Sequence, residues 1–168
     1  MGSTAEHCYQ LANPRPSAQL WKTPPGSTVG TRYFYNIAAD TQLLRAASGT
    51  SFAPKVWVGY NDRRTVKSYV SSVSATQVVA LYGRNSGYHS TTVLGHFPRT
   101  MLDGSTTLLA RTNSNRCQSG DSGGPWFYAR SDGGIVAAGQ HVGLRGGGCE
   151  FVQIGTISAA LSASVHTG

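Results

Sequence analysis

Cys117-Gln118-Ser119-Gly120-Asp121-Ser122-Gly123-Gly124-Pro125 sets a serine in the middle of a glycine-rich turn. Gly120, Gly123 and Gly124 let the backbone bend where a Cβ would obstruct it. Such a turn exposes Ser122 and aims successive N–H groups at one point, which is what stabilising an oxyanion requires. A serine hydroxyl is inert unless a base lies within hydrogen-bond reach and a third group orients that base. The rest of the chain must therefore supply a histidine and an acid.

Outward from this turn the chain reads as short strands. PKVWVGY (54–60), RTVKSYVSSV (64–73), TQVVALYGRNSGYHSTTVLGHF (76–97), STTLLART (105–112), GPWFYARSDGGIVAAGQHVGL (124–144) and EFVQIGTI (150–157) follow one another with Gly-rich turns between them. That spacing predicts a barrel. TRYFYNIAADTQLLRAAS (31–48) suits a strand, with Asp40 to Leu44 alternating as half-buried strands do. Before it, Pro14, Pro16, Pro24 and Pro25 break regular ladders, leaving a strand end and a turn-rich segment. Helical character is confined to TISAALSASVHT (156–167), where Ile157, Leu161 and Val165 share one face. A polar, basic stretch near residues 60–72 divides the chain into 1–68 and 69–168.

The 168 residues carry a net charge of +7. The basic residues are scattered, with no run longer than Arg63-Arg64, so the charge reads as a solvated surface and argues against a nucleic-acid partner. No stretch approaches the roughly 20 apolar residues that span a bilayer, so no membrane partner is expected. His89, His96 and His166 show no metal-ligand spacing and read as surface residues; no metal or cofactor is called for.

GDSGGP resembles the nucleophile motif of the chymotrypsin-like serine proteases. Ser3-Thr4-Ala5-Glu6-His7-Cys8 is similar to that family's small-residue run ending in His-Cys, with Glu6 where a small residue usually stands. Ala39-Asp40-Thr41-Gln42-Leu43-Leu44 resembles the family's acid at the edge of an apolar strand. The resemblance implies an all-β fold of two antiparallel β-barrels, the first incomplete, with a short C-terminal helix. It also implies catalytic roles for Ser122 as nucleophile, His7 as general base and Asp40 as the residue orienting that base. The order His, Asp, Ser supports the same assignment. Asp62 and Asp103 are rival acids, better explained as turn formers. The N–H groups of Gly120 and Ser122 are implied as the oxyanion hole, and Asp121 as a buried carboxylate holding the loop.

Finer similarities point to the bacterial, streptogrisin-like branch. GRNSGYHSTTV (83–93) is similar to a hairpin of that branch without its cysteine pair, and the ending EFVQI with SAAL resembles its last strand and closing helix. The resemblance pairs Cys117 with Cys149 in a disulfide beside the substrate pocket and leaves Cys8 free; three reduced thiols is the alternative. It also assigns substrate binding to Gln118 and to the strand His141-Val142-Gly143-Leu144. A histidine matching His141 occurs in glutamate-specific members, while a lone strand histidine is more often a structural hydrogen-bonder.

Family members place several strands before the catalytic histidine, whereas His7 stands near the start of this chain. The expectation is a first barrel truncated, remodelled, or completed by a second chain or an upstream segment. Two functional readings follow. One is a serine endopeptidase acting on protein or peptide substrates, secreted, with signal and any propeptide absent from this chain. The other is a catalytically impaired relative kept as a binding or structural module.

Overall fold

A computed structural model of the chain describes residues 2–10, 20–22 and 27–168. The proline-rich turn segment expected around Pro14, Pro16, Pro24 and Pro25 lies outside the described residues. Strands dominate, as their β-branched and aromatic content dictates.

The first sheet contains β1 (Gly2–Thr4), β2 (Leu20–Lys22), β3 (Thr28–Asn36) and β4 (Thr41–Ala46), in the order β1-β4-β3-β2. A short helix α1 (His7–Gln10) follows β1. Residues 31–48 are therefore two antiparallel strands around a turn at residues 37–40. The expected alternation after Asp40 is not found: Thr41, Gln42, Leu43 and Leu44 are all buried. β4 lies between β1 and β3, with Leu43 in an apolar cluster on one side and the Gln42 amide donating to the Ala5 carbonyl, so neither face meets water.

The second sheet is built from β5 (Lys55–Trp57), β6 (Arg63–Tyr69), β7 (Val78–Gly83), β8 (Gly87–Thr100), β9 (Thr106–Thr112), β10 (Pro125–Ala129), β11 (Ile135–Arg145) and β12 (Gly148–Gln153). Its order is β10-β7-β8-β9-β12-β11, and β10 pairs back with β11, closing a barrel. Trp126, Phe151, Leu81, Val79 and Val93 fill it, with the Trp126 and Phe151 rings stacked at 5.0 Å. The β5–β6 hairpin joins this sheet through a parallel pairing of β6 with β11, so backbone hydrogen bonding crosses the expected 68/69 division.

The C-terminal helix α2 (Ile154–Leu161) buries Ile154, Ile157 and Leu161 beside Leu43 and Val152, tying the first sheet to the barrel. It ends earlier than the sequence spacing suggested. Ser162 adopts a left-handed conformation (φ 47°) whose C-cap bond runs back to Ser158, so Val165 lies beyond the helix and packs on the core from irregular chain.

Candidate active site

The Ser122 turn connects the barrel's disulfide to β10. Gly120 and Gly123 have φ of 96° and 83°, a region L side chains avoid. A Cβ on Gly123 would also meet Thr4 and come within 3.0 Å of the Ala5 nitrogen, so this glycine lets the β1 end close on the turn. The turn is anchored to β11: the Gly123 N–H donates to the His141 carbonyl at 2.9 Å and the His141 N–H to the Gly124 carbonyl at 2.8 Å. The N–H groups of Gly120 and Ser122 donate to no described residue, leaving two donors open beside the hydroxyl.

Asp121 is buried beneath the turn. Its Oδ1 accepts from the N–H groups of Asn85 at 2.8 Å and Ser86 at 3.2 Å, and its Oδ2 from Gln118 N–H at 2.8 Å. Burial pushes its pKa up, but bonds from the Ser86 hydroxyl and these N–H groups outweigh that and hold it below the ordinary carboxylate value.

Across the cleft, the Asp40 carbonyl accepts from the Glu6 N–H at 3.2 Å and from the Gln140 amide at 3.2 Å. Asp40 itself sits at φ 45°, a left-handed position that aspartate tolerates and that these bonds over-determine. Its Oδ1 takes the His7 N–H at 2.8 Å and its Oδ2 lies 2.6 Å from His7 Nδ1. His7 Nε2 lies 2.7 Å from Ser122 Oγ. His7 and Ser122, 115 residues apart, are thus in hydrogen-bond contact, with Asp40 on the other side of the same imidazole. Asp40 ends the turn at residues 37–40 and immediately precedes β4, where the chain reverses to run back along β3.

The remaining site candidates are distributed around this contact. Cys117 and Cys149 are joined by a disulfide with Cα atoms 6.0 Å apart. Gln118 is exposed and contributes its backbone N–H to Asp121. On β11, His141 and Val142 are buried, a bulge separates His141 from Gly143, and Leu144 is half exposed. The indole N–H of Trp126 donates to His141 Nδ1 at 3.3 Å, which leaves the ring proton on Nε2 in the neutral tautomer. Burial lowers the His141 pKa to about 4, against the opposing charge of Asp121 and with smaller help from His7, His89 and Arg99.

Several residues of the site escaped the sequence. His89 is buried, not superficial: the β8 alternation turns it inward, edge-on to Trp126 at 5.9 Å between ring centres. His96 and His166 are exposed. Glu6 is fully buried and paired with Arg32, which also lies 3.3 Å over the Tyr35 ring. Its unusual place in the small-residue run was the available signal. Glu150 is fully buried between Arg99 and Arg111, and nothing in the sequence marked it.

No protein-family model and no curated protein matches the chain. Solved structures do. A glutamic acid specific serine protease, described as using a histidine triad in substrate binding, superposes with a TM-score of 0.79 at 24% identity, over 98% of this chain and 85% of that one. Cellulomonas bogoriensis chymotrypsin matches with a TM-score of 0.72 at 22% identity, over 99% and 85% of the two chains. Thermobifida fusca protease A matches with a TM-score of 0.69 at 24% identity, over 99% and 84%. The chain therefore has the chymotrypsin-like fold.

Proposed function

We propose that this chain is a serine endopeptidase. The observation that carries the reading is the continuous hydrogen-bonded line from Asp40 Oδ2 through His7 to Ser122 Oγ, at 2.6 and 2.7 Å. In this mechanism Ser122 Oγ attacks the peptide carbonyl while His7 Nε2 takes its proton. Asp40 holds the Nδ1–H tautomer and stabilises the imidazolium that forms. The carbonyl oxygen, now negative, is received by the N–H groups of Gly120 and Ser122. His7 returns the proton to the leaving amine, and water then resolves the acyl-enzyme by the same route.

Residues 1–68 supply the base and its orienting acid; residues 69–168 supply the nucleophile, the oxyanion donors and the pocket. Gln118 and the strand from His141 to Leu144 border the extended substrate, whose backbone adds to the strand edge. A preference for glutamate before the cut is supported by the free Nε2–H of His141, held in that tautomer by Trp126, and by the specificity of the first structural relative. The disulfide and the secreted character of such bacterial enzymes support an extracellular location.

A fluorophosphonate probe tests the reading. Ser122 is expected to be labelled in the wild type and unlabelled in His7→Ala; a native protein that resists the probe at every concentration sinks it. In a peptide-cleavage profile, absence of enrichment for glutamate before the cut removes His141 from the specificity argument.

A further inference from the structure

A third charged group borders the Asp40–His7 pair. Arg99, at the end of β8, lines a cavity of about 250 Å³ together with His7, Asp40, Met101, Leu102 and Val142. The guanidinium lies over Gly143 of β11. A Cβ on Gly143 would lie 3.7 Å from Arg99 Nη1 and 3.8 Å from Nη2, ordinary contact distances that place the guanidinium against this stretch of β11.

The charge on Arg99 is only partly compensated. Its Nη1 donates to Glu150 Oε2 at 2.8 Å, while Arg111 takes Oε1 through Nε at 3.0 Å and Nη2 at 2.7 Å. One carboxylate between two guanidiniums leaves one positive charge in surplus. Arg111 is bound in a fork and packs 4.2 Å over the Phe97 ring, with its side chain 15% exposed. Arg99 is 26% exposed and uses Nη1 alone among the described residues, keeping Nη2 and Nε for another acceptor. The Asp40 carboxylate, which lines the same cavity, has Oδ1 and Oδ2 engaged by His7, so it is the Arg99 guanidinium that has donors to offer there.

An extended peptide sends successive side chains to opposite sides. If the carbonyl at Ser122 belongs to the residue before the cut, the residue preceding that one turns toward His7 and this cavity. We propose that Arg99 selects an aspartate or glutamate as the second residue before the cut. Met101, Leu102 and Val142 hold its methylene stem, and Nη2 and Nε meet its carboxylate. The inference rests on the endopeptidase reading and adds a second point of selection to it.

The test is a set of fluorogenic peptides sharing one favourable residue before the cut and varying the second among Glu, Asp, Gln, Leu and Lys. Glu is expected to exceed Gln in kcat/KM by roughly tenfold, with Lys lowest, as one charge-assisted hydrogen bond provides. The gain belongs in KM, because the contact is equal in the ground and transition states. Raising salt toward 1 M shrinks the ratio by screening. Arg99→Gln brings the Glu/Gln ratio near one, and Arg99→Lys retains part of it. A wild type whose Ser122 takes the fluorophosphonate but which shows no Glu advantage overturns the proposal and spares the endopeptidase reading. So does a ratio unchanged in Arg99→Gln. A wild type that is never labelled overturns both. The wild-type profile and its salt dependence decide the matter even if the variants do not fold.

Discussion

The two halves of the site stand on differently built ground. Ser122 projects from a closed barrel in which an apolar core of Trp126, Phe151, Leu81 and Val93 is sealed by the Cys117–Cys149 disulfide. His7 and Asp40 stand on a sheet whose outer strands, β1 and β2, each have one neighbour among the described residues. That sheet buries Glu6, Asp40, Thr41 and Gln42, and its register is fixed by directional polar contacts as much as by packing. Apolar packing tolerates small displacements, whereas a buried polar group deprived of its partner is left unsatisfied at full cost. The His7–Asp40 side should therefore be the more fragile of the two.

The largest effect is expected where the two halves touch. Asp40→Asn keeps the shape of the side chain but offers His7 Nδ1 the wrong partner, and kcat should fall by about 10⁴-fold. Steady-state kinetics on any cleaved peptide checks this; a fall of less than tenfold would mean that Asp40 is not what orients the imidazole.

Stability separates the halves next. Glu6→Ala leaves the Arg32 guanidinium buried without that carboxylate, and breaking such a pair costs about 3–5 kcal/mol. Removing the disulfide with Cys117→Ser and Cys149→Ser releases a loop spanning a sequence separation of 32 and costs roughly 3–4 kcal/mol. The costs are similar and the consequences differ. Glu6→Ala should slow fluorophosphonate labelling at temperatures where the fold persists, because Glu6 precedes His7 and its N–H holds the Asp40 carbonyl. Equal loss of labelling rate in both variants, measured below their unfolding transitions, would erase the contrast.

The same contrast governs what was legible in the sequence. The barrel announced itself through short strands with Gly-rich turns, and Ser122 through three glycines in one turn, because turn chemistry and period-two patterning are local signals. Asp40 was readable as an acid but not as a turn residue, since its left-handed backbone is set by Glu6 and Gln140, far away in the chain. His89 looked superficial because one histidine in a strand carries no mark of which face it takes. Arg99, Arg111 and Glu150 are separated by up to 51 residues, and only the pairing of β8, β9 and β12 brings them together.

Acid should weaken the barrel through His141. Its buried imidazole is held neutral with a pKa of about 4, while in the unfolded chain it binds a proton near the ordinary 6.5. Between those values the unfolded state carries the extra proton, so stability is full above pH 6.5 and declines as pH falls toward 4. The loss is on the order of 3 kcal/mol. Burial lowers the His89 pKa as well, adding loss of the same sign. His141→Gln, which keeps an acceptor for the Trp126 indole and cannot titrate, should flatten this acid limb in urea titrations at pH 4.5 and 7. Parallel limbs in variant and wild type would assign the loss elsewhere.

The smallest effect is the most direct probe of the open sheet. Cys8 is the free thiol, its Sγ 3.9 Å from the Ser122 carbonyl, and burial, with the Asp40 charge adding to it, pushes its pKa up to about 11. At pH 8 about one molecule in a thousand is then thiolate, against roughly a quarter for an ordinary exposed cysteine, so alkylation of the native protein should be slowed roughly 250-fold. Iodoacetamide kinetics across a guanidinium gradient turn that slowness into a clock for the region around His7. If the polar-tied sheet opens before the sealed barrel, Cys8 becomes reactive at a lower denaturant concentration than the one that changes Trp126 fluorescence, read in a chain carrying Trp21→Phe and Trp57→Phe. Coincident transitions would instead mean that α2, with Ile157 and Leu161 packed beside Leu43, makes the two halves unfold as one unit.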